Sequence, residues 1–239
     1  MVQNTKLKEN ITLRLKPIVS VLLTLAGILI GLLLSLLAVW GDYESTSYGF
    51  MKRANAPLHG LSCPMFLGKD ETGTVSIKVS NPTDHSVSAG VRTEISTSHD
   101  PVSNLEFVQL AAGAHSQLQR TVGPQNIDLG SFIFVNASVF SIYPSPDREG
   151  TCGIFVLPVA TGSSSLSILG ATLSVLFMSI GSLSLYKNES RTHRSRALLF
   201  MVLMTLLAMI FCFMGWWVQP LFLIIVAILT FLISLGSLF

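Results

Sequence analysis

The side chains able to do chemistry in this 239-residue chain are few and scattered. Four histidines, His59, His85, His99 and His115, fall in one polar block, with Asp84 beside His85 and Asp100 beside His99. None shows the His-x-His or His-x₃-His spacing that a helix or strand uses to present two ligands to one ion, so no metal site is expected. Serines are plentiful, but no Gly-x-Ser-x-Gly elbow gives one of them a nucleophile's setting. Phosphate-binding and dinucleotide-binding glycine loops are absent as well. The pattern excludes the common enzyme classes, and neither a catalytic residue nor a cofactor is expected. Cys63 and Cys152 are more informative. Both lie in stretches that read as β-strands, and a bond between them would close a loop of nearly ninety residues. In the chain-entropy model such a closure stabilises a domain by ~4–5 kcal/mol. The third cysteine, Cys212, sits in an apolar run and reads as a small apolar filler.

The elements that carry these residues are set by four apolar stretches, 17–40, 166–186, 197–218 and 221–239, none of which contains Asp, Glu, Lys, Arg or His. Each is close to the ~20 apolar residues that cross a bilayer as a helix. Charged residues make up only 12% of the chain and the mean hydropathy is +0.61, values outside the soluble range. Charge is also unevenly placed. The segments 1–16 and 187–196 hold eight basic residues against Glu9 and Glu189, whereas the block 41–160 holds seven basic and eleven acidic ones. Basic loops stay on the cytoplasmic side. The expectation is therefore a multi-pass protein of the cell (plasma) membrane with cytoplasmic termini, a cytoplasmic basic loop at 187–196 and an exoplasmic segment 41–165. Trp40, Trp216 and Trp217 all fall at the outer ends of the spans, as an interfacial belt should. The first stretch runs too long and ends too bulkily for a cleaved signal peptide, so it is read as a retained anchor.

Within the outward block, residues 61–160 shift to Val, Ile, Thr and Ser with period-2 alternation. Thr74–Ser80 alternates and stops at the turn cluster Asn81-Pro82-Thr83-Asp84. With 62–67, 87–96, 105–110, 116–122, 132–142 and 152–157 this makes seven strands, the pattern of an antiparallel β-sandwich. The turn Val79-Ser80-Asn81-Pro82-Thr83 resembles that of bacterial immunoglobulin-like modules. That resemblance concerns this block and implies a fold. The linker 41–60, with Tyr43, Tyr48, Phe50 and Pro57, is expected to pack along the sandwich or a partner. A glycosylation sequon at Asn136-Ala137-Ser138 falls inside a strand, and those at Asn10 and Asn188 fall in segments expected to be cytoplasmic.

The spans carry packing information. Gly27, Gly31 and Ser35 recur every four residues, and Ser167, Gly170, Ser174 and Gly181 give the second span one narrow face. Small residues let helix backbones approach closely. Either the two seams pack on each other or one docks a helix of another subunit. Ionisable groups inside a bilayer usually mark transport pathways, and their absence here argues against a pump. The expected function is a non-catalytic accessory or assembly subunit of a larger membrane complex. It would bind other integral-membrane subunits through its spans and an exoplasmic protein through the sandwich, with no nucleic-acid partner. A membrane-anchored ligand or carbohydrate sensor, and a claudin-like or channel-auxiliary four-span protein, are the alternatives. Only the layout of the latter is shared, since that family's Gly-Leu-Trp motif with its paired cysteines is missing.

Overall fold

The computed structural model describes residues 17–140, 146–160, 162–188 and 193–236. The basic N-terminus and residues 189–192 of the basic loop, on which the expected orientation rests, lie outside them. So do 141–145, 161 and 237–239. The chain divides into two compact units, Met1–Ser35 with Leu169–Phe239, and Leu36–Ile168.

Four helices are present among the described residues: α1 (Pro17–Ser47), α2 (Ser163–Asn188), α3 (His193–Phe213) and α4 (Val218–Gly236). Three are long and apolar enough to cross a membrane, over Ile18–Ser47, Ser163–Tyr186 and Ser195–Phe213. The apolar part of α4, Val218–Ile233, is shorter. In the helical unit Ile28, Met178, Met201, Val202 and Met209 form a buried cluster drawn from α1, α2 and α3. The outward faces stay apolar and exposed, for example Leu29, Leu169, Leu183 and Ile210.

Two helix boundaries differ from expectation. The turn between the stretches 197–218 and 221–239 lies earlier than the gap at Gln219–Pro220, at 214–217. Gly215 adopts a left-handed φ of 72°, its N–H bonds to Cys212 O, and Trp216 N–H bonds to Phe211 O. This is a Schellman cap, and the Phe211 and Trp216 rings stack at 5.7 Å as its usual hydrophobic contact. Pro220 then falls in the first turn of α4, where its missing N–H costs nothing. At the other end of the chain, α1 continues seven residues past Trp40. At 31 residues it rises about 46 Å, more than the ~30 Å of a hydrocarbon core. Its last turns, from Leu36 on, belong to the β-rich unit.

That unit holds nine strands among the described residues. The large sheet has the order β1 (Ala56–Pro57), β9 (Arg148–Leu157), β8 (Phe132–Phe140), β5 (Val87–Ile95), β6 (Val102–Leu110), with β3 (Phe66–Gly68) also on β9. The small sheet runs β2 (Leu61–Ser62), β4 (Gly73–Ser80), β7 (His115–Val122). Inward residues of both sheets share two core clusters, one around Ile77, Val91 and Leu118, the other around Val75, Val122 and Ile154. Pairing is antiparallel except that β1 and β3 run parallel to β9. The expected single strand 62–67 is thus split. Its first part joins the small sheet, Cys63-Pro64-Met65 crosses over, and Phe66–Gly68 joins the large one. Pro64 has no N–H for a ladder, so the break falls where a ladder is weakest.

The turn after β4 has a clear organiser. Asn81 is 1% exposed, and its amide Nδ2 donates to the carbonyls of His85, Leu110 and Ala111 while its Oδ1 accepts from Thr83 N.

Candidate interaction surface

The two seams of small residues are used inside the chain. A Cβ added to Gly27 would lie 2.8 Å from Met178 N and Ser174 O, and one on Gly181 would lie 2.8 Å from Ser20 O. Ser174 Oγ donates to Gly27 O at 2.7 Å, and Ser20 Oγ donates to Ser184 Oγ at 2.7 Å. α1 and α2 therefore meet backbone to backbone in antiparallel order. Gly31 also faces Thr205 and Met209 of α3, and Ser35 O accepts from the Cys212 thiol at 3.8 Å. Gly170 has only Leu34 nearby, so the approach loosens there. Ser167 is not part of the contact, since its hydroxyl bonds its own turn at Ser164 O. Trp40 and Trp216 are exposed, and Trp217 is half-buried.

In the β-rich unit, Cys63 and Cys152 form the disulfide, with Cα atoms 6.5 Å apart. It anchors the strand crossover to β9. The rest of β9's outer edge is closed piece by piece. β1 runs along Arg148–Glu149 and β3 along Phe155–Leu157. In the gap between them Gly153 N–H donates to the Asp42 carboxylate of α1 at 3.0 Å. Gly41 presses on Gly153 so closely that a Cβ on the latter would overlap Gly41 O. The first seven residues of the linker are helix, the following segment crosses the face of the large sheet, and Ala56–Pro57 joins its edge as β1.

That segment is held by named groups. Tyr48 packs on Phe134 with ring centroids 4.5 Å apart, and its hydroxyl donates to Asp128. Burial and that carboxylate push the phenol up to about 12. Arg53 N and Ala54 N donate to Glu149 Oε2, Asn136 Nδ2 donates to Glu149 Oε1, and the Arg53 guanidinium pairs with Glu94 at 3.1 Å. This cover explains why β8 is buried on both faces from Ile133 to Val139. It also buries Asn136, so the sequon there is inaccessible in the folded chain. Further along, Glu71 accepts from Gly68 N, Ser163 N and Ser163 Oγ at the N-terminus of α2, and these donors lower its carboxyl below the usual range. α2 begins at Ser163 because that carboxylate satisfies its first donors.

The opposite edge of the same sheet is bare. β6 ends the sheet with β5 as its only strand partner among the described residues, paired without a bulge over nine residues. Residues 102–107 are all exposed, including Val102 at 58%, Leu105 at 45% and Phe107 at 62%. The strand has no Pro or Lys, and its one charge, Glu106, is engaged by Arg120. Exposed edges normally carry such blocking devices. Sequence reasoning placed only 105–110 in this strand, because a strand exposed on both faces needs no alternation.

The histidines do not assemble a metal centre. His85 Nδ1 meets Asp84 at 3.0 Å, and among the described residues no group of three His, Cys, Asp or Glu side chains is placed to hold an ion. His59 and His115 do converge on one cleft.

No protein-family model matches the chain, and no curated protein matches it. Part of it is similar in structure to the CARDB domain of a Pyrococcus furiosus protein solved with di-metal ions, at 17% identity and a TM-score of 0.33 over 40% of this chain and 87% of that one. A Paenibacillus cycloisomaltooligosaccharide glucanotransferase is matched at 18% identity and TM-score 0.33, over 44% of this chain and 14% of the enzyme. A Bacteroides uniformis β-glucuronidase is matched at 14% and 0.32, again over 14% of the enzyme. These likenesses concern a β-sheet domain, and no activity transfers with them.

Proposed function

We propose that this chain is a non-catalytic membrane accessory or assembly subunit that recruits an exoplasmic partner through the open edge of β6. The observation that carries the reading is the nine-residue unblocked edge with Val102, Leu105 and Phe107 exposed. A partner would add an extended segment there, main-chain hydrogen bonds giving affinity and alternate apolar side chains giving specificity. The reading includes four spans. α4 has 19 helical residues, a rise of about 28 Å, close to a bilayer core. It also includes cytoplasmic termini, following the basic segments, and an immunoglobulin-like β-sandwich on the exoplasmic side, where the Cys63–Cys152 bond is favoured. With the α1–α2 seam already filled, contact with other membrane subunits falls to the exposed apolar faces of the helices.

A photoactivatable phenylalanine analogue at position 107, irradiated in native membranes, tests this. An adduct from 107, with none from the same probe at the exposed Asp70, is expected. Absence of any adduct from 107, with the chain extracting as a lone monomer, would overturn the reading.

A further inference from the structure

A cleft of 630 Å³ in the β-rich unit gathers two cations and two imidazoles from four separate segments. Lys78 of β4 and Arg148 of β9 line it with His59 and His115, and its floor includes Val79 and Val139. The convergence is built by the fold. Lys78 N–H donates to Gly60 O at 2.8 Å, which draws His59 against β4. The β4–β7 register sets His115 opposite Ser80, and Arg148 pairs across from Val139.

Among the described residues no carboxylate lines this cleft, although residues 41–160 carry eleven acidic residues against seven basic ones. The nearby acids are engaged elsewhere. Glu149 is taken by Arg53 N, Ala54 N and Asn136, Asp84 by His85, and Asp147 lines a different cleft with Arg92. Neither Lys78 nor Arg148 forms an ion pair among the described residues, whereas Arg53 and Arg120 each do. Like charges converging without counterions repel one another, and that cost is relieved when an anion enters. The volume lies in the range of small-ligand sites, ~300–1,000 Å³, and an apolar floor with a polar rim is their usual construction.

We propose that this cleft binds a small organic anion, an apolar or planar body bearing a phosphate, sulfate or carboxylate group. Lys78 and Arg148 supply the charge. The imidazoles of His59 and His115 and the hydroxyls of Ser80 and Ser116 supply further donors. The site is independent of the β6 edge and stands or falls separately from it.

The test uses the full chain in nanodiscs of zwitterionic lipid, with phenyl phosphate as the probe and phenol as the uncharged control, read by saturation-transfer NMR and calorimetry. Saturable binding of phenyl phosphate, not phenol, is expected, with at least about tenfold loss in K78E/R148E. The loss should be smaller in H59Q/H115Q, whose exposed positions leave folding unchanged. Binding should also weaken as salt rises. Repeating the titration in phosphatidylglycerol nanodiscs separates sources. Loss of probe binding there assigns the cleft to a lipid phosphate, and unchanged binding assigns it to a soluble anion. Equal affinity in the wild type and both double variants, or no saturation up to about 10 mM, a free energy near −3 kcal/mol, would overturn the proposal.

Discussion

The two sides of the large sheet are finished in opposite ways. On the β9 side every stretch of edge has a partner: two short parallel strands, the Asp42 carboxylate on Gly153 N–H, and a disulfide beside it. The adjoining face is covered by the segment that pins Tyr48 on Phe134 and Arg53 on Glu94. On the β6 side no further strand is added among the described residues, and large apolar side chains are exposed. Both edges consist of the same unpaired N–H and C=O groups, so sheet chemistry alone does not set them apart. The difference is what lies next to them in the chain. Much of residues 41–68 lies along β9 or over the face beside it, and among the described residues no comparable length of chain runs along β6. One side is consumed by folding and the other is left open among the described residues.

That contrast can be attacked from the covered side first. Replacing Cys63 and Cys152 together by Ser should lower stability by about 2–5 kcal/mol, read by thermal unfolding with and without reductant. If the double variant melts as the wild type does, the crossover is held by packing and not by the bond. Next in size, Asp42→Ala leaves Gly153 N–H without its acceptor at a part-buried site and should cost about 1–3 kcal/mol. Hydrogen exchange at Gly153 should rise in parallel, and Asp42→Asn, which keeps an acceptor, should restore most of the protection. Full protection of Gly153 in the alanine variant would show that the carboxylate does not close the gap.

Tyr48 gives a smaller, pH-dependent effect. Its folded phenol is raised from 10.0 to about 12, so the neutral form is the one the fold stabilises. The contribution is complete below the unfolded value near 10 and is lost as pH rises through about 12. Melting temperatures followed across that window should fall more steeply for the wild type than for Tyr48→Phe. Parallel curves would place the alkaline loss elsewhere. The smallest effect is expected on the open side. Leu105→Lys and Phe107→Lys should change stability by no more than about 0.5 kcal/mol, because neither side chain is buried. Both should nevertheless abolish partner capture. A large loss of stability in either variant would mean that β6 is part of the core after all.

Several of these features were legible residue by residue. Val75, Ile77 and Val79 alternate because each must leave water while Ser76 and Lys78 stay in it, and the three are 0–3% exposed. Asn81-Pro82-Thr83 announced a turn, and the buried Asn81 amide is what builds it. The glycine and serine rhythms of the first two long helices identified narrow faces without saying what met them. Gly215 held a signal for the helix turn that the more conspicuous Pro220 obscured, since proline is as acceptable inside a first turn as after a last one. Arg148–Thr151 gave no strand signal, because its carboxylate, Glu149, is satisfied by a covering segment some ninety residues away.

Sequence by itself determined the partition of the chain into apolar helices and a charged, β-rich block, and the alternation of the core strands. Those are properties of single segments, set by the cost of taking polar groups out of water. Only the tertiary structure decided which seam fills which, which sheet edge is closed and which cations share a cleft. Each of those depends on groups distant in the chain meeting at a few ångströms, and segment-by-segment hydrophobicity carries no record of such meetings.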